Sequence, residues 1–216
     1  MSRSNTEKTA RSLRLPEGGY AIKFKCTALY SLLATPARIA WCLAALCLVT
    51  SGAAGAGEIW VSVDTGQHAL LVMEGDKTLR SFDNISIGRS GVTRQKVADD
   101  NKTPLGEYRV RRIKRNSRFH LYFGLDYPSK AQAVRASRKG DITTAELNAI
   151  LRAHKRNEEP PADTPLGGNI GIHGLGNGDP GVHRDLNWTE GCVAMTDAQI
   201  EELAHWIGLG TVVIIR

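Results

Sequence analysis

One cysteine and one histidine, nineteen positions apart, carry the chemistry that is legible in this chain. Cys192 closes the segment Trp188-Thr189-Glu190-Gly191-Cys192, and His173 stands upstream in Gly171-Ile172-His173-Gly174. A thiol becomes a nucleophile only as thiolate, so it needs a base beside it and some access to solvent. An imidazole can take the thiol proton and later return one to a leaving amine. The ring's second nitrogen must then be held, and a backbone carbonyl such as that of Gly174 can do so. The amides of Gly191 and Cys192 are candidate donors to the oxyanion of an acyl-transfer intermediate. Papain-like enzymes place Cys before His in the chain; here the order is reversed.

Between these residues, Gly171 to Cys192 is a long loop rich in glycine, with a second histidine at His183. Glycine at that density is unfavourable in chain entropy, and such loops usually serve a site. Arg184 fits a bidentate grip on a substrate carboxylate, and His183 could orient groups near the thiol. For both, a solvated loop side chain is the plain alternative. Trp188 and Tyr122 either pack near the pocket or are core aromatics at strand positions.

Export would explain why Cys192 stands alone. Residues 1–38 are polar and basic, and Ile39 to Val49 form an uncharged apolar run. Small residues follow, ending in Ala54-Gly55-Ala56. These are the parts of a secretory signal peptide, with the mature chain beginning near Gly57. An uncleaved membrane anchor is the minority reading, and the apolar run is short of the roughly 20 residues of a full span. Cys26, Cys42 and Cys47 all precede residue 57. In an oxidising compartment the remaining thiol is a reactive group or an accident.

Charge points the same way. The chain has 28 Lys+Arg against 22 Asp+Glu. Residues 1–56 hold seven of the former and two of the latter, leaving 21 against 20 in residues 57–216. The basic excess is therefore mostly a targeting signal, and no nucleic acid is expected as a partner. Six Lys/Arg between Arg109 and Arg118 read as a solvated strand face.

The elements that must position these residues are mainly β with short helices (α+β), in a single domain over 57–216. Residues 58–64 and 68–73 alternate as strands around turns at 64–67 and 74–77. Residues 79–87 and 105–113 continue the pattern, separated by a polar loop at 88–103. A helical insertion at about 129–156 is expected as helices 129–138 and 143–156, the second opened by the capping box Thr143-x-x-Glu146. Three prolines make 157–168 a loop, and a short strand 169–172 delivers His173. A second capping box, Thr196-x-x-Gln199, opens a helix expected through Trp206. Residues 211–215 form a buried closing strand.

His173-Gly174, followed by Thr189-x-Gly191-Cys192-Val193, resembles the active-site signature of the L,D-transpeptidase catalytic domain family (YkuD type). Ser86-Ile87-Gly88 and Thr103-Pro104-Leu105-Gly106-Glu107-Tyr108 resemble two further family segments. Phe123 to Pro128 with the helical insertion resembles an exported bacterial subgroup. The resemblance covers about 58–216 in one order. It implies a β-sandwich or open barrel, Cys192 as nucleophile, His173 as general base and acid, and the Gly174 carbonyl as orienter of the ring. It implies acyl transfer in the periplasm or cell envelope, with no cofactor. Peptidoglycan stem peptides would be the donor, and the acceptor an amine of another stem, an envelope lipoprotein, or water. Transferase, L,D-carboxypeptidase and amidase share every residue up to the thioester. Many members carry His where this chain has Glu190, and Arg or Asn where it has Ala194.

Two other classes compete. His173, His183 and Cys192 could be three zinc ligands of a hydrolase, although no H-E-x-x-H helix accompanies them. A non-catalytic wall-binding module is the other.

Overall fold

In the computed structural model the described residues are 57–216. The expected signal or anchor lies outside them. Among the described residues no helix is long and apolar enough to cross a membrane.

Among the described residues ten strands and four helices follow one another: β1 Ile59–Asp64, β2 Ala69–Glu74, β3 Lys77–Asp83, β4 Val92–Thr93, β5 Thr103–Pro104, β6 Gly106–Ser117, β7 His120–Leu125, α1 Lys130–Lys139, α2 Thr144–Lys155, β8 Gly171–His173, α3 Pro180–Asp185, β9 Val193–Ala194, α4 Asp197–Leu203 and β10 Val212–Ile215. Eight strands make one mixed sheet in the order β3-β2-β1-β10-β6-β7-β8-β9. The pairs β1–β10 and β8–β9 are parallel, and the other neighbours are antiparallel. The sheet curls: Ser86, just beyond β3, exchanges hydrogen bonds of 2.9 and 2.7 Å with Ala194 on the opposite edge. The architecture is mainly β and partly closed, as the sequence leads one to expect.

β10 is central because its four residues, Val-Val-Ile-Ile, have no polar face to show to water. Val213 and Ile215 sit in the main core with Val61, Val63, Tyr108, Phe123 and Ile172. Each such side chain contributes about 1.5–3 kcal/mol on burial. The insertion keeps its own small core of Ala133, Ala136, Ile142, Ile150 and Leu166.

Both expected capping boxes form, Thr143 with Glu146 and Thr196 with Gln199, and a third joins Ser129 to Gln132. Differences lie at the boundaries. α4 ends at Leu203, before the expected Trp206, and the strand expected to reach residue 87 stops at Asp83. β6 runs four residues past its expected end and pairs with β7. Its basic, alternation-poor sequence hides the strand, and only the β7 partner reveals it. Inside the Gly-rich loop, Asp179 caps the short helix α3.

Candidate active site

β8 ends on His173 and lies between β7 and β9. Its registers set Tyr122 against His173, and His173 against Ala194. Side chains alternate along a strand, so Cys192, two residues before Ala194, belongs to the His173 face. The same register continued by one residue places Cys192 opposite Gly171. A side chain there has no room: a Cβ on Gly171 would stand 2.4 Å from the Phe123 carbonyl and 2.7 Å from the Tyr122 ring. Gly171 therefore lets the Tyr122 ring lie beside the thiol.

The His173 ring is buried and closely stacked. Phe119 lies 4.1 Å from it, nearly parallel, and Trp188 meets it edge-on at 5.8 Å. Nδ1 is 2.7 Å from the Gly174 carbonyl oxygen. A carbonyl only accepts, so Nδ1 carries the proton and Nε2 presents a lone pair. Burial pushes the imidazole down to about 4, against the Gly174 carbonyl, while the charge of Arg118 pushes it further down.

Cys192 is the free cysteine of the described residues and keeps partial exposure. Its Sγ donates to the Asn169 carbonyl at 3.4 Å. The protein packed around the sulfur pushes the thiol up to about 11, with Lys96 and Arg118 pulling the other way. Both shifts favour the neutral forms, a thiol and an unprotonated imidazole.

The nucleophile loop is stitched from three sides. Thr189 Oγ1 donates to the Cys192 carbonyl at 2.7 Å and accepts the Gly191 amide at 3.1 Å. Of the two expected oxyanion donors, the Gly191 amide is therefore already engaged. Gly191 instead has a conformational duty: its φ is +130°, and a Cβ would fall 2.6 Å from the Lys102 carbonyl. Lys96, almost wholly buried, pairs with Asp100 and donates to the Glu190 carbonyl at 3.2 Å. Ser86 Oγ accepts the Trp188 amide and donates to the Leu186 carbonyl, and Thr103 Oγ1 accepts the Gly88 amide. The segments around Ser86 and Thr103 thus act as a brace for the loop bearing Cys192.

His173, Cys192 and Trp188 line one cavity of about 760 Å³. His183 and Arg184 are not among its lining residues. His183 is buried on α3, where its Nδ1 accepts the Trp188 indole N–H at 3.3 Å; it supports Trp188 from behind. Arg184 is exposed and paired with Asp185. No three His, Cys, Asp or Glu side chains converge as metal ligands among the described residues.

Lys96, Arg118 and Phe119 were not singled out from the sequence. Lys96 and Asp100 stand four residues apart, an ion-pair spacing, but only tertiary burial gives that spacing meaning. Arg118 sits in the β6–β7 turn, stacks over Phe119 at 4.5 Å, and lines the cavity. Its charge acts on both His173 and Cys192. Ala194 is fully buried and offers the cavity no charge.

Residues 58–215 match the L,D-transpeptidase catalytic domain, YkuD. Among solved structures, the helical cell shape determining protein Pgp2 from Campylobacter jejuni is similar at 19% identity, over 75% of this chain and 48% of that one (TM-score 0.52). Bdellovibrio bacteriovorus Bd1075 matches at 21% identity, over 77% and 50% (TM-score 0.46). An Enterococcus faecium L,D-transpeptidase matches at 12% identity, over 74% and 50% (TM-score 0.43). The chain spans about half the length of these structures, and at such identities the likeness shows the fold alone. No curated protein matches. The family match, over nearly all of the described residues and with His173 and Cys192 on one sheet face, means that the chain belongs to the YkuD family of L,D-transpeptidase catalytic domains.

Proposed function

We propose that the protein is a peptidoglycan L,D-transpeptidase working through a Cys192 thioester in the cell envelope. The observation that carries the reading is the single cavity lined by Cys192 and by His173, whose Nδ1 is tied to Gly174 and whose Nε2 is left basic.

His173 Nε2 takes the thiol proton as Sγ attacks the carbonyl carbon of the third stem residue. The carbonyl oxygen becomes an oxyanion, and the Cys192 amide is its proposed donor. Collapse breaks the C–N bond, and the imidazolium gives its proton to the departing D-alanine amine. An acceptor amine then attacks the thioester and loses a proton to His173. The C–S bond breaks, and the thiolate recovers that proton. Arg118 is positioned to pair with the donor's terminal carboxylate, a role that Ala194 cannot fill. Phe119 and Trp188 keep the imidazole dry and fixed, and His183 supports Trp188.

The test is mass spectrometry of purified muropeptides incubated with the full chain and with its Cys192→Ala variant. New cross-links that require Cys192 are expected. Loss of D-alanine alone would replace the amine acceptor by water, and release of attached protein would make the enzyme an amidase. Equal activity in the variant would overturn the thiol mechanism, whereas no activity in either form would favour a wall-binding module.

A further inference from the structure

A larger cavity of about 1260 Å³ lies away from Cys192 and His173 and is strongly basic. One of its walls is β6, whose pairing with β7 is irregular. The β6–β7 register steps from Val110–Leu125 to Arg112–Gly124, so Arg111 is an extra residue. A bulge of this kind switches which residues face the core. Tyr108 and Val110 point into the core before it, and Ile113 packs there after it. Arg109, Arg111, Arg112 and Lys114 consequently share the face opposite the core, where a regular strand would alternate them. Arg109 and Arg111 line the larger cavity, and Arg112 and Lys114 line the Cys192 cavity. The five residue steps from Arg109 to Lys114, about 17 Å, run between the two sites, with Arg111 paired to Asp126 and Arg112 to Glu159.

Arg94, Lys130, Arg135 and Lys139 complete the walls of the larger cavity with exposed side chains. None of these four has a carboxylate partner among the described residues. Glu107 and Asp126 are the opposing acids, and Asp126 is committed to Arg111 and to the Arg109 amide. Gln95, on the same wall, leaves both ends of its amide without a hydrogen-bond partner. The larger cavity holds seven of the 21 Lys/Arg of residues 57–216 but only two of the 20 acids. A nearly neutral domain thus concentrates positive charge at this cavity, which focuses an attractive field for anions.

We propose that the larger cavity is an exosite for polymeric peptidoglycan, gripping carboxylates of stem peptides neighbouring the one presented to Cys192. The assignment rests on the functional reading above. It predicts two populations of substrate: intact wall, which reaches both sites, and short soluble muropeptides, which need only the catalytic one.

The experiment compares full-length Cys192→Ala protein with the same protein carrying Arg94→Glu, Lys130→Glu and Arg135→Glu, by co-sedimentation with purified sacculi. Retention about tenfold weaker is expected for the triple variant, with a shallower salt dependence. Carbodiimide-amidated sacculi should lose the Cys192→Ala protein equally. With Cys192 restored, the triple variant should turn over soluble muropeptides unchanged and melt at the same temperature. Unaltered sacculus binding, retention on amidated sacculi, or stronger retention on anionic phospholipid vesicles would each overturn the exosite. Because binding is read without Cys192, failure of the thiol mechanism would appear only in the turnover arm.

Discussion

The bias of both groups toward their neutral forms makes a quantitative prediction about the reactivity of Cys192. Its thiol stands at about 11 against an ordinary value of 9.0. A two-unit rise leaves roughly one-hundredth of the usual thiolate at neutral pH. Each thiolate is more nucleophilic for its higher basicity, and a Brønsted slope of about 0.4–0.5 restores roughly six- to tenfold. Alkylation of Cys192 by iodoacetamide should therefore run about tenfold slower than that of an unperturbed thiol. The rate should climb about tenfold per pH unit from 6 to 10 without levelling off. The assay follows the Cys192 peptide by mass spectrometry after digestion, which separates it from Cys26, Cys42 and Cys47. His173→Ala should leave this rate within about twofold, because His173 is not holding a thiolate in the resting state. A rate already flat between pH 6 and 8, and collapsing in His173→Ala, would refute the reasoning and mean a standing thiolate–imidazolium pair.

Four further outcomes follow from the same geometry. Turnover of muropeptides by His173→Ala should fall about 10²–10⁴-fold, the usual worth of a positioned base, and in wild type it should decline as pH falls toward 4, where the ring takes a proton. The same group affects folding: unfolded, the imidazole protonates near 6.5, and folded near 4, so stability falls as pH drops through that window. The loss should approach about 3 kcal/mol, and urea titrations at pH 7 and pH 4 should show it shrinking in His173→Gln. Arg118→Ala should lower kcat/KM about 10- to 100-fold for donors ending in a carboxylate, as expected for a charged hydrogen bond worth about 1.5–3 kcal/mol. Donors with an amidated terminus should be nearly indifferent to that change, and equal losses on both would remove Arg118 from carboxylate recognition. Gly191→Ala must hold φ at +130° against the Lys102 carbonyl; destabilisation of about 1–3 kcal/mol with loss of turnover is expected, read by melting temperature and the muropeptide assay.

How legible the site was depended on whether its parts were local in the chain. The capping boxes at Thr143 and Thr196 are four-residue patterns, and both helices begin where those patterns put them. The apolar run of β10 announced a buried strand because four consecutive apolar side chains leave neither face for water. By contrast, β7 and the far half of β6 are defined by each other. The charged residues of β6 satisfy no periodicity until the hairpin is formed, and the extra residue at Arg111 exists only relative to a partner strand. His183 looked like a pocket residue because it lies in the right loop, yet the turn of α3 carries it behind Trp188.

Residue type and order sufficed to read the family and the mainly β architecture, and they pointed to Cys192 and His173 as the candidate pair. They left open which neighbours surround the pair. The packing of Phe119, Tyr122 and Trp188 around His173 is a tertiary property, and with it the desolvation that favours the uncharged imidazole. Only the tertiary structure put Arg118 at the cavity where Ala194 has no charge to offer, and Lys96 beneath the nucleophile loop. Only it gathered the basic run of β6 onto a single face, since a bulge is a relation between two strands and has no signature in one.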